Sequence, residues 1–397
     1  MPGDATLLSV LRHLIDHGPL SRPDLGEGVE LARATTSSLV NDLLRRGLVA
    51  EIATPSEGRR GRPTTLLDLD DTRYAVAGLE IAMDRIHVAV YSLRGRELLR
   101  IERTGEAEAV NPRALLRRAA MVLQEALDVV EDDRRTLLGV GVSVPGLVDA
   151  STGTVKYVPS LGWRDVALKE GVTEALGGRA PVMVDSDANF AALAERRSRM
   201  RGGADASSLV YLTGTYGISA GIIAGGRLWR GARGMAGEVG HLILDSPGLR
   251  CVCGRNGCFE TRAGLQPIVE SALETHRRPG RGHLAPASAV DEVVGLAHGG
   301  DETVIGSLAA AGRWIGLGAA MVSALLDPQV VVLGGHYARI APWILGPARE
   351  SFAAALLVSG PDTPRLEVST RSAWTATEGA ALAVLMSLAE GDRTLPE

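Results

Sequence analysis

The residues best suited to do chemistry crowd into one stretch, CVCGRNGC, where Cys251, Cys253 and Cys258 are all the cysteines of a 397-residue chain. A disulfide would use two of them and leave one thiol over. Three thiolates spaced two and five residues apart suit a soft divalent metal. Gly254 and Gly257 let the chain fold back so that the sulfurs converge. A tetrahedral zinc site needs a fourth ligand, and His241, ten residues upstream beside Gly240, is the best placed of eight histidines. Four protein ligands leave no position open for water, so the expected zinc is structural, and what it shapes is the loop from His241 to Glu260. The plainer alternative, small buried cysteines and a core histidine, sits poorly with that spacing.

The rest of the chain must supply the frame. Its length suggests two to three domains, and 45% hydrophobic with 22% charged residues fits packed cores under an ordinary polar surface. So few cysteines do not make a secreted disulfide scaffold, no uninterrupted apolar run reaches the length of a membrane span, and no signal-peptide layout is present. The expectation is a cytoplasmic protein with no membrane partner. A net charge of −5 argues against general polyanion binding by the whole chain. Locally the balance reverses: from Arg33 to Arg62 there are six arginines against Asp42, Glu51 and Glu57.

That basic stretch lies in a segment of short helices. Leu7, Leu8, Leu11, Leu14 and Ile15 recur at helical spacing, and Gly18 and Pro19 stop the helix. Ser21 caps a second helix with Pro23 in its first turn. A third runs from about Arg33 to Arg46, with Thr36, Leu39, Val40 and Leu43 inward and Gly47 at its end. The alternating stretch that follows, around RRGRP, reads as a two-stranded wing. Three helices and a wing over residues 1–72 make a winged helix-turn-helix domain for double-stranded operator DNA. Thr35 and Ser38 would face base edges, Arg33 and Arg45 would suit phosphates, and Arg59, Arg60 and Arg62 form a basic finger for a narrow minor groove. A protein-interaction module is the alternative for such a segment.

Beyond residue 72 strands and helices alternate with Gly-rich turns, which implies two α/β lobes with a cleft between them. Here the residues carry a family pattern. RGARGMAGEVGHL through CVCGRNGCFE (Arg230–Glu260), VSVPGLVD (Val142–Asp149), SLGW (Ser160–Trp163) and DSDANFAALAE (Asp185–Glu195) resemble, in order, the landmarks of the ROK family of repressors, open reading frames and kinases. The resemblance covers essentially the whole chain, and the added winged helix is similar to the family's repressor branch. It implies an actin-like ATPase (ribonuclease H-like) fold, with lobes over 73–187 and 188–375 and a C-terminal helix at about 376–397 returning to the first. In the family's kinases the Asp of DAN is the general base toward a sugar hydroxyl; it maps to Asp187. The resemblance also implies sugar contacts from Glu238, His241 and Glu260, and from the positions of Ser160 and Ser186.

The departures are as informative. The kinases' first phosphate loop reads DIGGTK; here it is Glu80-Ile81-Ala82-Met83-Asp84-Arg85, without either glycine and with an added acid. The second, GTGIGAG, aligns with Thr215-Tyr216-Gly217-Ile218-Ser219-Ala220-Gly221. Bulky or acidic side chains there oppose close backbone approach to triphosphate. Ser160 and Ser186 replace asparagines and shorten the reach to a hydroxyl. The sequence therefore predicts a sugar-responsive regulator, a repressor acting as a homodimer or tetramer, with structural zinc, no ATP and no catalytic role for Asp187. A kinase with an appended DNA-binding domain and a constitutive DNA-binding protein with a vestigial sugar site are the alternatives.

Overall fold

A computed structural model of the chain describes residues 2–396 apart from 54–64, 83–84, 105–110, 159–160, 216, 277–285, 359, 361–362 and 372–373. The head consists of α1 (Pro2–His17), β1 (Leu20–Ser21), α2 (Arg22–Gly28), α3 (Arg33–Arg45), β2 (Val49–Ala53) and β3 (Thr65–Leu69). Ser21 caps α2 by accepting from the Asp24 amide, as its position before Arg22-Pro23 predicts. Thr36, Val40 and Leu43 of α3 are buried, while Leu39 is only partly so. The wing strands β2 and β3 pair antiparallel, with β1 on the outer side of β3.

The first lobe contains β4 (Tyr74–Ile81), β5 (Arg85–Ser92), β6 (Glu97–Thr104), α4 (Pro112–Asp132), β7 (Thr136–Val144), β8 (Leu147–Asp149), β9 (Thr154–Val158), β10 (Trp163–Val166), α5 (Leu168–Ala175) and β11 (Val182–Ser186). The second contains α6 (Asp187–Arg201), β12 (Leu209–Gly214), β13 (Ile218–Ala224), β14 (Arg227–Leu228), α7 (Glu260–Ala263), α8 (Leu265–Ala272), α9 (Pro286–His298), α10 (Glu302–Leu326), β15 (Val330–Gly335), α11 (His336–Ala355) and β16 (Arg365–Val368). The chain ends with α12 (Thr375–Ala389).

The two lobes repeat one sheet plan. In the five-stranded sheet β11-β7-β4-β5-β6, the central β4 pairs antiparallel with β5 and parallel with β7. The second five-stranded sheet, β14-β13-β12-β15-β16, does the same, with β12 antiparallel to β13 and parallel to β15. Strands β4, β7 and β12 are buried almost throughout because helices cover both faces. This duplicated arrangement is the actin-like ATPase plan, with a winged head added. The C-terminal α12 lies against β4 and β7 of the first lobe and against α6.

One helix among the described residues, α10, is long and apolar enough to cross a membrane by length and composition, although no uninterrupted apolar run of that length exists in the sequence. More than half of its apolar window is buried, and it packs along α11 in the core of the second lobe.

Backbone-to-backbone approach sets the position of α12. A Cβ added at Gly379 would overlap the carbonyl oxygen of Phe190 on α6, and one at Gly141 of β7 would overlap the carbonyl of Ala380. Gly379→Ala is therefore expected to cost about 1–3 kcal/mol, as overpacking does. Urea unfolding would register it as a lower midpoint with an unchanged slope; an unchanged midpoint would show that α12 can shift freely.

Candidate functional site

Local turn chemistry gathers the four candidate metal ligands. A single 3-10 turn, Val239–His241, presents His241. The chain then doubles back on itself through bridges between Ile243 and Cys258 and between Arg250 and Asn256. The Cys251 amide donates to the Arg255 carbonyl, and Gly254 and Gly257 take positive φ of 89° and 75°. A side chain at Gly257 would strike the Asp245 backbone, so the reversal needs glycine. One donor atom from each of His241, Cys251, Cys253 and Cys258 lies within 4.8 Å of all the others.

A tetrahedron with zinc–ligand bonds of about 2.3 Å places its ligand atoms roughly 3.8 Å apart. Cys251 Sγ is 3.7 Å from His241 Nδ1, and Cys253 Sγ is 3.6 Å from Cys258 Sγ. All three cysteines are free thiols. Spacing and donor set thus fit a metal ion of the zinc type held by four protein ligands.

Carboxylates converge beside this cluster. Asp187, the first residue of α6, is 8% exposed. Its Oδ1 accepts from the Ala188 amide at 2.8 Å and its Oδ2 from Thr215 Oγ1 at 3.2 Å. Burial, and then the nearby Glu80 carboxylate, push its pKa up to about 6. Glu238 enters the turn that carries His241; burial, with Asp187 and Glu260 as like-charged neighbours, lifts it to about 7. Glu260 opens α7 directly after the cysteine loop, accepts from the Ile218 amide at 3.2 Å, and is raised by burial. A cavity of about 400 Å³ is lined by Leu147, Tyr157, Glu238, His241, Leu242, Cys253 and Arg255. Crowded carboxylates with acceptor capacity to spare are what a polyol, with many hydroxyls to give, can satisfy.

The sequence-predicted positions divide into groups. Asp187, Glu238, His241 and Glu260 meet. The Ser186 hydroxyl caps α6 by accepting from the Asn189 amide at 3.3 Å, which leaves its own O–H as a donor. Ser160 lies outside the described residues, as do Met83, Asp84 and Tyr216 of the two altered loops. Glu80, in the first of those loops, is tied inward by Thr377 Oγ1 at 2.8 Å and faces His87 Nδ1 at 3.5 Å. Thr215, expected only as part of a lost phosphate loop, instead donates to Asp187. Neither pairing has a local signal: Glu80 and Thr377 are 297 residues apart. Arg230, also unforeseen, anchors the buried Asp185 at 2.6 Å, two residues before Asp187.

On the head, Arg33, Thr35 and Ser38 are exposed along α3, as a groove-facing surface requires. Arg45 is exposed too, with Nη2 2.6 Å from Asp42 Oδ1 on the same helix, a weak surface pair that a phosphate can replace. Arg59, Arg60 and Arg62 lie outside the described residues.

Two lobes of one repeated sheet plan, a His-Cys cluster and a convergent carboxylate array define a class, and the sequence agrees: the ROK family pattern matches residues 76–386, and this chain belongs to that family. A MarR family pattern matches residues 8–60, the winged head. The chain is 29% identical over 339 residues to a putative xylose repressor of Caldicellulosiruptor, covering 82% of each chain. In structure it is similar to a ROK family transcriptional regulator described as a homologue of the E. coli MLC protein, with a TM-score of 0.79, 23% identity and 98% of both chains covered. It is also similar to a ROK glucokinase from Streptomyces griseus in complex with glucose and AMPPNP, with a TM-score of 0.65, 27% identity, and 78% of this chain and 98% of that one covered.

Proposed function

We propose that this chain is a sugar-responsive transcriptional regulator, a repressor that binds operator DNA through its winged head and a sugar in the ROK cleft. One juxtaposition carries the reading: an exposed α3 face is joined to a cleft that keeps Asp187, Glu238, His241 and Glu260, while the first phosphate loop has lost both glycines. The sugar's hydroxyls donate to the carboxylates, and the bound form favours one closure of the lobes. Binding shifts the head only as far as the sugar's affinity for the two closures differs. His241, Cys251, Cys253 and Cys258 hold a structural zinc that supplies no reaction chemistry and fixes the loop bearing Glu238 and Glu260. A two-fold dimer would place two heads on a near-palindromic operator.

The test is release of a DNA fragment from upstream of the gene by candidate sugars, starting with D-xylose and D-glucose. Release with a coupling of about 5–150-fold in operator affinity is expected; a protein that holds DNA equally with and without every sugar would be constitutive. The retained Asp187 favours a second reading, a sugar kinase with an appended head. A coupled ATP-turnover assay with the same sugars is expected to show none, and turnover abolished by Asp187→Asn would establish the kinase instead.

A further inference from the structure

The candidate sugar site and the DNA-binding head share one helix. α6 begins in the cleft at Asp187 and ends beneath the head at Arg201; its 15 residues span about 22 Å. Between these ends it has no slack. Every residue from Asp187 to Arg197 is buried. At Gly379 of α12 and Gly221 of β13 an added Cβ would overlap the Phe190 and Ala188 carbonyls, so α6 is gripped backbone-to-backbone on two sides. A helix packed this closely shifts as a body, because dense cores pass displacement on rather than absorb it.

The head end of α6 carries directional contacts. Arg196 donates Nη1 to Asp16 Oδ1 at 2.7 Å and Nη2 to Oδ2 at 2.8 Å, and both side chains are buried. Asp16 lies in the last turn of α1 and also accepts from Arg12 Nε at 3.0 Å. Arg201 donates to the Ile15 and Leu14 carbonyls at the end of α1, at 3.2 and 3.4 Å, and to Asp68 Oδ1 of β3 at 3.2 Å. α6 therefore holds both α1, which packs on α3, and the base of the wing. Apolar packing alone would keep the head attached but let it slide. A buried two-pronged ion pair adds little net stability once desolvation is counted, yet it fixes distance and angle.

We propose that Arg196 and Arg201 are positioning residues that transmit sugar binding from Asp187 to the winged head, with α6 as the rod between them. The inference rests on the regulator reading above. The full-length protein and its Arg196→Met and Arg201→Gln variants would be compared by operator-fragment anisotropy, with and without saturating D-xylose or D-glucose, and by sugar calorimetry without DNA. The wild type is expected to change operator affinity about 5–150-fold with sugar. In Arg196→Met that ratio falls to within about twofold of unity while sugar affinity stays within about threefold of wild type, a split that a merely structural defect would not produce. Arg201→Gln, at a partly exposed side chain, lowers the ratio in the same direction and decides the matter should Arg196→Met not fold. Variants with the full wild-type ratio would overturn the inference alone. A wild type that answers no sugar would overturn the regulator reading, and this one with it.

Discussion

Asp187→Asn should make the sugar-free protein more stable at pH 7.5 and largely deaf to sugar. The folded pKa of Asp187 is raised from 3.8 to about 6 because it is buried and faces Glu80. For a carboxyl raised in this way the folded state binds more protons than the unfolded chain between those two values. Its favourable contribution is complete below pH 3.8 and is lost as pH rises through about 6. Above that, the protein carries a buried charge at a cost of roughly 3 kcal/mol, from about 1.4 kcal/mol per pKa unit. Asparagine removes the charge and can keep the Oδ1 contact with the Ala188 amide. A gain of about 2–3 kcal/mol at pH 7.5, shrinking toward zero near pH 4, is the expected denaturation profile. The same change takes away a charged acceptor worth roughly 1.5–3 kcal/mol to a sugar hydroxyl, so affinity should fall about 10–100-fold. Wild-type sugar affinity should likewise weaken as pH drops below about 6. Equal stabilities of the two proteins at pH 7.5 would show that Asp187 is neither strained nor ionised there.

Cys258→Ser is expected to empty the metal site. Cys258 is fully buried and lies 3.6 Å from Cys253 Sγ, so a serine would leave three donors and a weaker one. Metal analysis should fall from one zinc per chain to none. A metal held at a thousand times its Kd contributes about 4 kcal/mol, and a domain of 150–250 residues moves about 2–4 °C per kcal/mol, so Tm should drop by roughly 10 °C. Because the loop from His241 to Glu260 ends on one cleft carboxylate, Glu260, and begins three residues after another, Glu238, the sugar response should go with the metal. Operator binding should persist, since the apolar cluster that packs α3 and the wing contains none of the metal ligands. Protein purified under reducing, zinc-replete conditions without metal, and with wild-type Tm, would refute the site.

Much of this molecule is legible in its amino-acid order. The spacing of the cysteines, the two glycines that let their loop reverse, and the 3.6-residue repeat of α1 and α3 are local properties, and neighbouring residues dictate them. The identity of the cleft carboxylates follows from the family pattern rather than from spacing, since single acids carry no period.

The chain thus spells out its parts: a winged head, two α/β lobes and a Cys3His loop. How those parts are joined is a property of the folded molecule. Thr215 meets Asp187 across 28 residues, Arg196 meets Asp16 across 180 and Thr377 meets Glu80 across 297. Such partners leave no trace in a local pattern, because each is selected by the burial that brings the chain together and by the need to pair every polar group left inside.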